Sequence, residues 1–460
     1  MDLMPMYDDD SECAGDQQCF STNMDDYDYE YVQEQESLVE LYQYCISPTL
    51  NDTLWYLIPL TIASFTCNVA ARINYIPHKM FHSITASTGI YVLYNYAYEC
   101  FFLLLFYVIL SYLFLHLPKK HRQGTKVFLP SIFLILYCEV FMHAKDWNKI
   151  RGVVMIAVMK AISLTVDMSD TDKIVNVHEY IGYMLCGITA IFGPWTSFET
   201  YTNLYNEKKW KLWWFFVVIS YAIVGLFCLS ISNCWTNWIL SDNAAKWMVA
   251  FRDAFGFRTS HYFVCFISSA IMLLGGYPLT QSLLTKPLEI EVPRSLVQVV
   301  VSWNMPMHNW LKTYVFRPGR KQLGRFGAII LTYLASSLLH GLNFQLAAVL
   351  LSLGFYTYIE YQLRQLLATE FNACIGSKQC SAYKCEHLRT TYNCYWVVLV
   401  NGAFSILAIF HLAYLGLMFD ASETQETGYS YQHTINKWSE LNFASHWVAC
   451  TTYLAYYLIR

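Results

Sequence analysis

From Leu54 to Ala71 the chain carries no charged side chain, and apolar runs of this kind recur to its end. They fall at Val127–His143, Val153–Leu164, Tyr180–Phe198, Trp213–Ser232, Tyr262–Gly276, Leu346–Tyr361, Tyr395–Phe419 and Phe443–Ile459. Only 14% of the 460 residues are charged and 55% are hydrophobic, whereas an ordinary soluble domain carries about 25% charged residues. The chain is therefore expected to be an all-α polytopic membrane protein. About ten to eleven transmembrane or re-entrant helices are expected, several too short to cross roughly 30 Å of hydrocarbon alone. Such short or broken helices are tolerated where they line a water-filled cavity. His82–Leu117 is too long for one crossing and has basic residues at both ends, which points to an even number of passes or a re-entrant piece, with a break expected at Ser83–Gly89.

Charge gives a provisional orientation. The first basic residue is Arg72, and residues 1–50 hold many acids, among them Asp8, Asp9, Asp10, Asp25, Asp26 and Asp28. Residues 1–50 are expected to be a disordered acidic tail, and residues 51–460 one transmembrane catalytic domain. With nothing basic before the first apolar run and Arg72, His78 and Lys79 after it, the N-terminal side falls in the lumen. Asn51-Asp52-Thr53 then reads as a luminal glycosylation sequon. The tail has neither a basic leader nor an early apolar core, so no cleavable signal is expected. The acidic Ser422–Thr427 loop is also expected in the lumen.

Several function classes lack support. There is no internal repeat of the kind that marks many transporters, and no P-loop, dinucleotide-binding glycine motif or His-Glu-x-x-His motif. Cys374, Cys380, Cys385 and Cys394 cluster with His387, but their spacings miss the Cys-x2-Cys pattern. No metal is assigned from sequence, and free or lipidated thiols are expected there. Lys160 is expected to pair with a carboxylate or meet a donor phosphate. Arg252 and Arg258 suggest an amphipathic surface helix.

The stretch Val299–Phe344 concentrates the chemistry. His340 lies in an apolar run that has no charged side chain between Arg325 and Glu360, and an ionisable residue at membrane depth marks a functional site by default. A helix-packing histidine bonded to a carbonyl is the other reading of the same spacing. Ser336 and Ser337 lie one turn before His340. Asn304 stands in Ser-Trp-Asn-Met-Pro, where Pro306 is expected to break the helix and leave free carbonyls. Lys312, Arg317, Arg320, Lys321 and Arg325 form the densest basic run and mark a cytosolic face. At 1.5 Å per residue, His340 lies roughly 22 Å beyond Arg325. A basic mouth one helix-length from an imidazole suits a ligand with a phosphorylated head and a long arm. A neutral histidine can take a proton from a serine hydroxyl, and an asparagine amide can hold a thioester carbonyl.

SWNMPMHNWLKTYVF followed by ASSLLHGLNF resembles the signature of the membrane-bound O-acyltransferase family. KIRGVVMIAVMKAISLTVDM, FGPWTSF, KPLEIEVPRSLVQVV, AIFHLAYLG and NKWSELNFASHW extend the resemblance over most of the chain after about residue 55. Within that family the motifs are closest to the branch that acylates Wnt proteins. The resemblance implies helices around a central catalytic tunnel and location in the endoplasmic reticulum membrane. It implies transfer of palmitoleate from acyl-coenzyme A to a Wnt serine, with no cofactor and no nucleic-acid partner. On the matching positions His340 and Asn304 take the catalytic roles. Trp303, Tyr314, Tyr333, Ser336, Ser337, Arg294, Lys312 and Arg317 are the candidates for the acyl and donor pocket. A lysophospholipid or sterol acyltransferase and a non-enzymatic lipid carrier are the competing readings.

Overall fold

The computed structural model describes residues 37–460 apart from 74, 117–124, 170–174, 207–211, 342, 381–384 and 420–430. The acidic tail up to residue 36 and the Ser422–Thr427 loop lie outside the described residues. What is described is helical, with one isolated bridge between Ala373 and Arg389. In chain order the helices are α1 (Leu38–Arg72), α2 (His78–Tyr96), α3 (Phe101–Leu115), α4 (Thr125–Phe141), α5 (Ala144–Ser169) and α6 (Val177–Met184). Next come α7 (Trp213–Ile239), α8 (Lys246–Leu274), α9 (Pro287–Glu291), α10 (Leu296–Trp303), α11 (Met305–Leu311) and α12 (Arg317–Leu339). The last four are α13 (Phe344–Glu370), α14 (Tyr395–Gly416), α15 (Tyr431–Glu440) and α16 (Ala444–Ile459).

Among the described residues, 7 helical stretches are long and apolar enough to cross a membrane: α1, Tyr98–Leu115, α5, α7, α8, Met305–Leu339 and α14. Trp55, Phe102, Phe106, Phe133 and Phe227 stand outward and exposed, as bodies bathed in lipid do. Among the described residues the first helix begins at Leu38, and Cys45 forms a disulfide with Cys234. This ties the beginning of α1 to the far end of α7.

Two expectations about helix character change. The Ser83–Gly89 stretch lies inside an unbroken α2, and the backbone instead departs from helix at Ala97 (φ −138°, ψ 40°). The small residues serve packing: a Cβ on Gly89 would sit 1.4 Å from the Leu185 carbonyl oxygen, so glycine lets the chain after α6 lie against α2. Arg258, read from sequence as part of a surface helix, is buried within α8. Its Nε and Nη2 donate to Glu291 at 2.8 and 3.0 Å, and the Tyr262 hydroxyl donates to the same carboxylate at 2.7 Å. Pairing offsets part of the cost of burying the guanidinium, which sequence alone assigns to water.

Candidate active site

α12 and α13 form an antiparallel hairpin whose tip is His340. The Tyr333 ring of α12 packs against Gly354 of α13, where a Cβ would come within 2.8 Å of the ring, and at the outer end the Arg325 guanidinium lies 4.6 Å from the Tyr361 ring. The helix ends at His340 because Gly341 takes φ +88°, a conformation open to glycine at little cost. The His340 N–H bonds the carbonyls of Ser336 and Ser337. Its half-buried ring takes no hydrogen bond from the described residues. That differs from a histidine whose job is to tie two helices together.

Four groups that the sequence reading missed surround this tip. A Cβ on Gly341 would lie 2.5 Å from Glu139 Oε2 and 3.1 Å from Trp147 Nε1, so the α4–α5 corner closes over the hairpin. Trp147 donates to Glu139 at 2.6 Å. Arg151, one turn along α5, and His261 of α8 both lie within electrostatic range of the imidazole. His261 stacks on Trp303 with centroids 4.2 Å apart and planes 3° from parallel, and its Nε2 lies 2.9 Å from the Trp303 carbonyl oxygen. His261 therefore links the surroundings of His340 to Trp303, the neighbour of Asn304. It sits in an ordinary apolar helix pattern, and only its contacts distinguish it.

Asn304 occupies the break between α10 and α11 (φ −142°, ψ 90°) and caps α11, its Oδ1 accepting from Met307 N–H at 3.0 Å. The helix does end at this point, at Trp303, and Pro306 sits in the first turn of α11. The free carbonyls expected here are occupied: Ser302 O accepts from Lys286 N–H and the Thr285 hydroxyl, and Asn304 O from His308 N–H. Met305 N–H donates to Leu284 O. With Oδ1 committed to the cap, Nδ2 is the amide's remaining donor and its direction is fixed.

The other candidates divide. Ser336 and Ser337 are buried on α12 beneath His340. The Tyr314 hydroxyl donates to Asp167 at 2.8 Å, and its ring meets Trp195 and Trp310. Lys312 and Arg317 are exposed with Arg320, Lys321 and Arg325, an unburied basic face. The Arg294 guanidinium is turned to the loop after α13, donating to Cys374 O at 2.8 Å and Gly376 O at 3.1 Å. Lys160 meets no carboxylate among the described residues; its ammonium donates to Tyr183 O and the Thr189 hydroxyl at 3.0 and 2.7 Å.

Residues 100–373 match the model of the membrane-bound O-acyltransferase family. The chain belongs to that family, and it is an integral-membrane acyltransferase. Its relatives narrow the class. It is 36% identical to the human protein-serine O-palmitoleoyltransferase porcupine, over 92% of this chain and 98% of that protein. The Anopheles gambiae protein of the same name is 35% identical over 68% of this chain and 70% of its own length. An Arabidopsis thaliana lysophospholipid acyltransferase 2 is 22% identical over 48% and 59%.

Proposed function

We propose that this acyltransferase moves a palmitoleoyl group from coenzyme A to a serine hydroxyl of Wnt proteins. Similarity to porcupine enzymes over 92% of the chain carries the reading. His340 Nε2 or Nδ1 accepts the serine proton as Oγ bonds to the thioester carbonyl carbon. The carbonyl oxygen gathers negative charge and is met by Asn304 Nδ2. Collapse breaks the carbon–sulfur bond, and the imidazolium returns its proton to the departing thiolate. Electrons and protons balance without a cofactor beyond the acyl-coenzyme A co-substrate. The exposed Lys312–Arg325 face suits the phosphates of that donor from the cytosol. The Cys45–Cys234 disulfide belongs to oxidising chemistry, which supports the lumen of the endoplasmic reticulum as the compartment of the N-terminal side.

The test is acyl transfer by the purified chain from palmitoleoyl-coenzyme A to a disulfide-closed Wnt hairpin peptide, with a lysophospholipid in parallel. Peptide acylation that disappears in His340→Ala is the expected result. Acylation of the lipid alone transfers the chain to the lysophospholipid reading. Thioester left intact with both acceptors overturns the proposal.

A further inference from the structure

The loop between α13 and α14 brings together four donor atoms that the catalytic reading does not use. The sulfurs of Cys374, Cys380 and Cys385 and one ring nitrogen of His387 all lie within 4.8 Å of one another. None of the three cysteines is in a disulfide. Both Cys380 Sγ and Cys385 Sγ stand 3.5 Å from the same atom, His387 Nδ1. A neutral imidazole offers one in-plane lone pair, enough to accept from one thiol. An ion at the centre satisfies all four atoms together. Tetrahedral zinc with bonds of about 2.3 Å to sulfur and about 2.0–2.1 Å to nitrogen has sulfur–nitrogen edges of about 3.6 Å, close to the separations here.

The surroundings are built for such a centre. Cys374 N–H donates to Arg389 O at 2.8 Å and Arg389 N–H to Asn372 O at 3.1 Å. That pairing folds the two ends of the ligand segment against each other. Three thiolates and a neutral imidazole leave a divalent ion with one net negative charge. The Arg294 guanidinium supplies the balancing positive charge, with Nη2 3.9 Å from Cys374 Sγ, as groups around a metal's ligands commonly do. Cys394, grouped with these thiols by sequence, instead precedes α14 and is outside the set.

We infer that Cys374, Cys380, Cys385 and His387 bind a structural zinc ion. Four protein ligands close the coordination sphere, so the ion is structural rather than catalytic. It fastens a loop to which the start of α10 is pinned. Ser295 Oγ donates to Ser377 O at 2.9 Å, and Arg364 Nη2 to Gly376 O at 3.2 Å. α10 ends at Trp303, next to Asn304, so the ion steadies the catalytic break from its far end. The Cys-x5-Cys-x4-Cys-x-His order hides this from a motif search, because it lacks the Cys-x2-Cys spacing that such a search relies on.

Metal analysis of the full chain, purified in detergent without chelators, tests this. One zinc per chain is expected, falling at least tenfold in Cys380→Ser/Cys385→Ser. Cobalt exchanged into the wild type should show thiolate charge-transfer and tetrahedral visible bands. Those bands should shift, with the metal kept, in His387→Cys, a variant that does not depend on the double mutant folding. Folded wild type with substoichiometric metal overturns the inference. Zinc retained by the double variant, or a cobalt spectrum indifferent to His387→Cys, does so as well, and so does finding these thiols acylated by mass spectrometry.

Discussion

At the scale of single residues, His340 and Asn304 differ in how their roles can be separated from structure. Among the described residues the His340 ring makes no hydrogen bond, so His340→Ala removes the proposed base and little else. Its kcat is expected to fall about 10²–10⁴-fold with an unchanged melting temperature, read by peptide acylation and thermal unfolding. Asn304 both caps α11 and presents Nδ2. Asn304→Ala should lose about 10²–10³-fold in kcat and about 0.5–2 kcal/mol from the cap. Asn304→Asp keeps a capping oxygen and loses the donor, so it should recover stability without recovering rate; recovery of both would assign Asn304 to capping alone. As proposals, these two residues were legible in the sequence because each is an anomaly there, an imidazole in an apolar run and an amide two residues before a proline. Glu139, Arg151 and His261 were not, since nothing in their own segments announces that α4, α5 and α8 converge on the hairpin tip.

Between elements, close approaches and the Arg258–Glu291 ion pair are among the contacts that decide packing. Gly89→Ala would drive a methyl into the Leu185 carbonyl, and it is expected to cost several kcal/mol or prevent folding, measured by melting temperature and detergent-monodisperse yield. Glu291→Ala leaves the Arg258 guanidinium buried between α8 and α9 without its carboxylate, an expected loss of about 3–5 kcal/mol. Replacing both with apolar residues of similar volume should restore most of it. The helical class and the family followed from apolar runs and motifs. The end of α2 at Ala97 and the burial of Arg258 did not, because periodicity registers how apolar a face is and is blind to which charge will find a partner across the bundle.

For the whole molecule, the outward apolar side chains describe a body whose solvent is lipid. The expected tertiary fastener is the Cys45–Cys234 bond, formed between residues 189 apart in sequence. Cys45→Ser should lower stability by about 2–4 kcal/mol, with wild type treated with reductant moving to the same melting temperature. That bond also acts as a parity check on the chain's path. Its two sulfurs share one face of the bilayer, so the segments between them cross it an even number of times, however many of the shorter helices turn back part-way. A protease site or fluorescent reporter placed at Ser241 must therefore be reached from the same compartment as one placed at Ser37.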